Sequence, residues 1–490
     1  MRSIAAWLGL IGVLGSHAGL ADVQLPTLIG DHMVLQRDAK IVLWGWADPG
    51  EHVMIEFHGR VYLARTDRSG QWSRIAGPFP AGGPFDLVVT GLNRLLVRDI
   101  LIGDVWLASG QSNMEFPIQR NGALGGVDHA EQEIAGADFP QIRLLRVHHT
   151  IALMPQTHVD ADPWATVTPT TVANFSAIGY LFGRELHQRY QIPIGLIESS
   201  WGGTVAEAWV SARSLKRFPE FRASIESSQN LAAAPVADPP IPVNVPSDPN
   251  NPTLLFNGMI APLTPYRIKG ILWYQGEANA DRALQYRALF PALIRDWRRQ
   301  WGYEVPFLFV QLAGYQPNKV DPAEYPRADL REAQSMALAL PTTGMATAVD
   351  LGDENQVHPR NKQDVAHRLA LAAAKIVYGE NVVASGPTFQ SMTIEGARIR
   401  IKFSNIGSGL LINDGPGEVR GFEIAGADGK FAWARAELDA DSVLVSSAAI
   451  QQPVAVRYDW RNTPDGNLHN QEGLPAIPFR TDAPKAPSAK

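Results

Sequence analysis

The chain contains no cysteine, so no disulfide can staple it and neither thiol catalysis nor a thiolate metal site is available to it. It has no basic surplus either. The formal net charge is −6 and no Lys/Arg-rich run occurs, which argues against a nucleic-acid partner whose phosphates would need neutralising. Beyond the N-terminus no apolar run reaches the roughly 18 residues that a membrane span requires, so no membrane span is expected. There is no His-Glu-x-x-His helix or comparable ligand spacing, so no metal and no cofactor is expected. No internal repeat is visible, and nothing in the sequence specifies an oligomeric state.

What remains is a long chain with ample apolar material. At 490 residues it exceeds one ordinary domain, and two or three are expected, with burial rather than cross-links supplying stability. Met1-Arg2-Ser3, an uninterrupted apolar stretch over 4–14 and Gly19-Leu20-Ala21 before Asp22 reproduce the three regions of a secretory signal peptide. Residues 1–21 are therefore expected to be removed and the mature protein to be periplasmic or secreted.

From 22 to 99, short β-branched and aromatic runs at 41–46, 53–57, 61–66 and 85–90 alternate with turns such as Asp48-Pro49-Gly50, which predicts an all-β module. Residues 99–108 form a nearly continuous apolar run, the pattern of a strand covered on both faces in a parallel sheet. Helical and strand patterns then alternate. Strands are predicted at 193–198, 268–273, 305–312 and 345–350, and helices at 176–190, 281–301, 327–340 and 362–378. This order predicts an α/β catalytic domain over 100–384 with a parallel sheet flanked by helices. Seven prolines fall between 234 and 253, read as a surface loop that is either a tolerated insertion or a rim of the site. From 385 to 482 the pattern is β again, with strands expected at 398–403, 422–424, 431–438 and 454–458, and 483–490 is a polar tail. The C-terminal β module is possible as a separate unit or packed with the N-terminal one.

Four segments at predicted strand ends carry chemistry. Gly110-Gln111-Ser112-Asn113-Met114 puts a serine after a tight turn at the carboxyl end of a buried strand, where open α/β sheets bind ligands. A serine there is also what caps a helix. Ser200-Trp201-Gly202-Gly203-Thr204 allows close backbone approach, so that the Gly203 N–H can serve an oxyanion; an ordinary strand-to-helix turn reads the same. Trp273-Tyr274-Gln275-Gly276-Glu277-Ala278-Asn279 brings amides, a carboxylate and aromatics to the same rim. Gln275 or Asn279 is a candidate oxyanion donor worth about 3 kcal/mol in the transition state, although Asn279 is also a helix-cap candidate. Finally, His358 follows the last predicted strand and can reach a serine on another loop as its base.

Together, these segments and His358-Pro359-Arg360-Asn361-Lys362 resemble, in order, the SGNH hydrolase superfamily and in particular the sialate O-acetylesterase family of carbohydrate acetylesterases. The resemblance extends to the C-terminal segment from Asn470 to Asp482. It implies an SGNH-type sheet with accessory β-sandwich, jelly-roll-like segments, and a serine esterase removing O-acetyl groups from sugars through an acetyl-enzyme. It further implies Ser112 as nucleophile and His358 as base. The oxyanion hole would come from Ser112, Gly203 and Gln275 or Asn279, with Trp201, Trp273, Tyr274 and Glu277 binding substrate. Members of the family usually carry an Asp two or three residues before the histidine, where this chain has Gln356 and Asn355. Losing that acid costs about 10⁴ in rate in a model protease. Asp353 is the expected replacement and Glu354 the alternative. The other readings are a sugar-binding protein without catalysis, favoured by 13 tryptophans, and an esterase or lipase of other acyl groups, disfavoured by the missing Gly-x-Ser-x-Gly elbow. Acetylated xyloglucan, xylan and O-acetylated sialic acid are all candidate substrates.

Overall fold

The longest strand organises the molecule. The computed structural model describes residues 22–122, 124–233 and 247–483. The expected signal peptide, most of the Pro-rich loop and nearly all of the tail lie outside the described residues.

Strand Arg94–Gly110 is 17 residues long and belongs to two regions at once. Its first half pairs antiparallel with Gly82–Thr90 and parallel with Val34–Gln36. Its second half is the central strand of the parallel sheet, between Ile194–Ser200 and Gly270–Tyr274. The boundary expected between 99 and 100 therefore falls inside one strand. Asp99 sits at the junction in a left-handed conformation, φ +56°. Its carboxylate is held by Arg143 at 2.7 Å and His32 at 2.7 Å, and the Arg143 hydrogen bond keeps it below the usual carboxylate range.

Across the parallel sheet the strands run Thr343–Thr347, Phe307–Gln311, Gly270–Tyr274, Arg94–Gly110, Ile194–Ser200 and Phe139–Arg146, with Ala165–Val167 antiparallel at the edge. Phe139–Arg146 escapes a periodicity reading because Pro140, Arg143 and Arg146 interrupt its apolar run; Arg143 is buried there, paired with Asp99 and donating to the Pro140 carbonyl. Helix Ala177–Tyr190 begins at Ser176, whose side chain accepts from the Gly179 N–H, and packs on helix Lys362–Ile376. Helix Ala283–Trp301 packs on Pro326–Ser335. Two expected helices are shorter than read from the sequence, since 3-10 turns occupy Glu277–Arg282 and Met336–Ala339. The last strand likewise ends at Thr347, and Asp350 lies in a 3-10 turn.

The C-terminal region forms two four-stranded antiparallel sheets around their own core, including Ile399, Ile401, Phe422, Val443 and Val456. The run expected as one strand over 431–438 breaks at Ala434 and contributes to both sheets. This unit docks on the α/β part: Arg331 donates to the carbonyls of Arg461 and Asn462, and Arg480 pairs with Glu332 at 2.7 Å. No helix among the described residues is long and apolar enough to cross a membrane.

Candidate active site

Sheet register brings the chemistry together. Ser200 and Tyr274 each lie opposite Gly110, so three strands end level and the segments after them share one rim. At Gly110 the backbone adopts φ +140°, and a Cβ would stand 2.1 Å from the Tyr274 carbonyl oxygen; only glycine fits. The chain then enters a one-turn helix, Ser112–Glu115. Ser112 Oγ lies 2.8 Å from His358 Nε2. His358 stands on the loop before helix Lys362–Ile376, and its backbone N–H donates to Gln356 Oε1 at 3.1 Å. Burial pushes its imidazole down to about 4, with the nearby Lys362 charge adding to the effect. A neutral ring with Nε2 unprotonated is suited to accept the serine proton.

Neither carboxylate expected to support His358 is brought to it. Residues 353–356 form a tight turn in which Asp353 Oδ1 accepts from the Asn355 N–H at 2.7 Å, and both Asp353 and Glu354 are exposed. The imidazole has no carboxylate partner among the described residues' hydrogen bonds. Asp350, the next acid along the chain, is held by Arg368 at 2.6 and 2.7 Å.

The turn after Ser200 packs against the serine: a Cβ at Gly202 would lie 3.3 Å from Ser112 Cβ. The Gly202 N–H donates to Glu115 Oε2 at 2.6 Å. Gly203, at φ +74° and exposed, follows, and a Cβ there would meet nothing within 4 Å. Gln275 and Asn279 are both buried beside the turn that carries Gly203. Gln275 Nε2 donates to Asn279 Oδ1 at 2.7 Å and to the Thr204 carbonyl at 3.1 Å, while Asn279 Nδ2 donates to Glu207 Oε2 at 3.0 Å. These bonds engage both Gln275 amide hydrogens and one of the two on Asn279, and they tie both side chains to the segment that follows Gly203.

The aromatic expectation divides in the same way. Trp273 and Tyr274 are fully buried, Trp273 packing edge-on against Trp209 and Trp297, so neither can stack on a sugar. They occupy the last positions of a strand covered on both faces. Glu277 points inward, accepting from Asn113 Nδ2 at 2.6 Å, and burial raises its carboxyl. Trp201 alone stays at the surface, stacked on His149 with centroids 4.1 Å apart and planes 5° from parallel. His149 Nε2 is 3.0 Å from Glu115 Oε1. Glu115, His149, Asn113 and Lys362 were missed as site residues. Asn113 and Lys362 stand inside motifs already singled out, whereas His149 has no sequence signal. A cleft of about 250 Å³, lined by Phe116, Arg120, Gln356, His358 and Arg360 among others, opens beside the histidine. No group of three or more metal-ligating side chains is found among the described residues.

Comparison with known proteins identifies the family. The family described as carbohydrate esterase, sialic acid-specific acetylesterase, matches residues 252–376. The mouse sialate O-acetylesterase is 32% identical over 539 residues, covering 96% of each chain. The human protein is 32% identical over 505 residues, covering 93% of this chain and 92% of its own. A solved carbohydrate acetylesterase from Xanthomonas citri superposes with a TM-score of 0.84 at 40% identity, covering 94% of this chain and 100% of that one.

Proposed function

The chain belongs to the sialate O-acetylesterase family and is a carbohydrate O-acetylesterase, and from that premise we propose that Ser112 and His358 are its reacting pair. The observation that carries the proposal is the 2.8 Å contact between Ser112 Oγ and His358 Nε2 at the level ends of three strands. His358 removes the hydroxyl proton as Oγ attacks the acetyl carbonyl. The N–H groups of Ser112 and Gly203 receive the oxyanion, each such donor contributing about 10²–10³ in rate. Protonated His358 returns its proton to the departing sugar oxygen, and water, activated by the same imidazole, releases acetate from the acetyl-serine. The whole cycle uses side chains, main chain and water.

In this reading the site works as a Ser-His dyad in an SGNH-type arrangement, with Gln275 and Asn279 bracing the oxyanion turn. Trp201 with His149 offers the sugar-stacking face. The C-terminal pair of sheets is an accessory sandwich, and residues 1–21 direct export to the periplasm or exterior. The substrate is an acetylated glycan, with xyloglucan, xylan and O-acetylated sialic acid as the candidates.

The test is acetate release from an activated acetate ester and from those three acetylated substrates, comparing the parent with Ser112→Ala. Complete loss on all of them, with an unchanged circular dichroism spectrum, is expected. Parent-level release by Ser112→Ala would end the assignment.

A further inference from the structure

Among the described residues no carboxylate is hydrogen-bonded to the His358 imidazole, and its position against Ser112 is held by other contacts. Asn113, buried and next to the serine, makes three hydrogen bonds. Its Nδ2 donates to Glu277 Oε1 at 2.6 Å and to the main-chain oxygen of Val357 at 3.0 Å, and its Oδ1 accepts from Lys362 Nζ at 2.6 Å. Val357 immediately precedes His358, and Lys362 opens the helix that follows it. The amide therefore grips the histidine loop on both sides while its own backbone belongs to the serine turn.

The chemistry of the surroundings requires an amide here. A primary amide offers an acceptor and two donors in one plane, and this one meets an ammonium, a carboxylate and a carbonyl at once. Either carboxylate or hydrocarbon at this position would leave a donor or acceptor unmatched in a dry environment. Lys362 has little other polar contact: its Nζ lies over the Phe116 ring at 4.5 Å and 5.7 Å from the Tyr274 ring. Glu277 Oε2 has no hydrogen-bond partner among the described residues. Asn113 is thus the joint through which this buried pair is tied to the loop carrying the imidazole.

We propose that Asn113 is a positioning residue that fixes His358 against Ser112, taking over the orienting part of the role that a triad acid plays elsewhere. This rests on Ser112 and His358 being the reacting pair. Asn113 touches neither substrate nor the reacting atoms and acts through the loop.

The test compares the full-length parent with Asn113→Leu and the near-isosteric Asn113→Asp, which keeps side-chain volume and the Lys362 contact. A displacement of about 1 Å costs about 10² in rate. Accordingly kcat is expected to fall about 10²-fold in each while KM stays within about twofold. The acid limb of kcat/KM should move to higher pH as water reaches the released imidazole. A kcat within about threefold of the parent, or a loss confined to melting temperature with an unmoved pH profile, overturns the proposal. Ser112→Ala run alongside separates the premises: parent-level activity there would remove the Ser-His reading itself, whatever the Asn113 variants do.

Discussion

Glu115 Oε2 accepts the Gly202 N–H at 2.6 Å, tying the last residue of the serine turn to the glycine pair on the neighbouring strand end. The next residue, Gly203, is exposed, at φ +74°. The same carboxylate holds His149 through its other oxygen. One side chain thus holds both the glycine turn and the aromatic pair.

Glu115→Ala should lower kcat by about 10- to 10²-fold, because the donor turn is no longer held to its catalytic geometry. Glu115→Gln, which keeps an acceptor for Gly202, should lose less. Steady-state kinetics on an activated acetate ester measure the difference, and equal losses would show that charge rather than turn geometry matters.

Burial holds the His358 imidazole down to about 4, so the base remains unprotonated well below the pH at which an ordinary histidine protonates. Activity should persist at about pH 5 and decline as pH falls through about 4. Lys362→Met removes a positive charge that disfavours the imidazolium and should shift the acid limb upward. Profiles of kcat/KM between about pH 3.5 and 9 test both; a parent acid limb near the ordinary histidine value would contradict the first.

Two tryptophans expected at the same rim should respond in opposite ways. Trp273→Ala, in the core, is expected to destabilise by about 3–5 kcal/mol through the cavity it leaves. Trp201→Ala should leave the melting temperature nearly unchanged and raise KM for a polymeric substrate several-fold, since its ring lies in the surface stack with His149. Thermal melts and saturation curves on the same preparations distinguish the two roles.

Arg331 is buried and donates to the carbonyls of Leu312, Ala313, Arg461 and Asn462. Arg331→Met leaves those acceptors without a donor, at about 1–3 kcal/mol each where water cannot enter. Calorimetry should show the C-terminal sheets melting ahead of the α/β part. A single transition at the parent temperature would mean that other contacts dock them.

The sequence determined a great deal unaided. The runs over 99–108, 193–198 and 268–273 mark buried strands, the glycines mark the turns, and His358 follows the last strand, because period and turn chemistry are local properties. The change of pattern at Asp99 reads as a module boundary, whereas the strand runs on through it, with Arg143 and His32 holding the left-handed aspartate. Only the tertiary structure decided that the three strands end level, that Gln275, Trp273 and Glu277 face inward while Trp201 faces outward, and that neither Asp353 nor Glu354 meets the histidine. The side on which a strand-end residue lies depends on what packs against it, and those neighbours, like Ser112 and His358 across 246 positions, are remote in the chain.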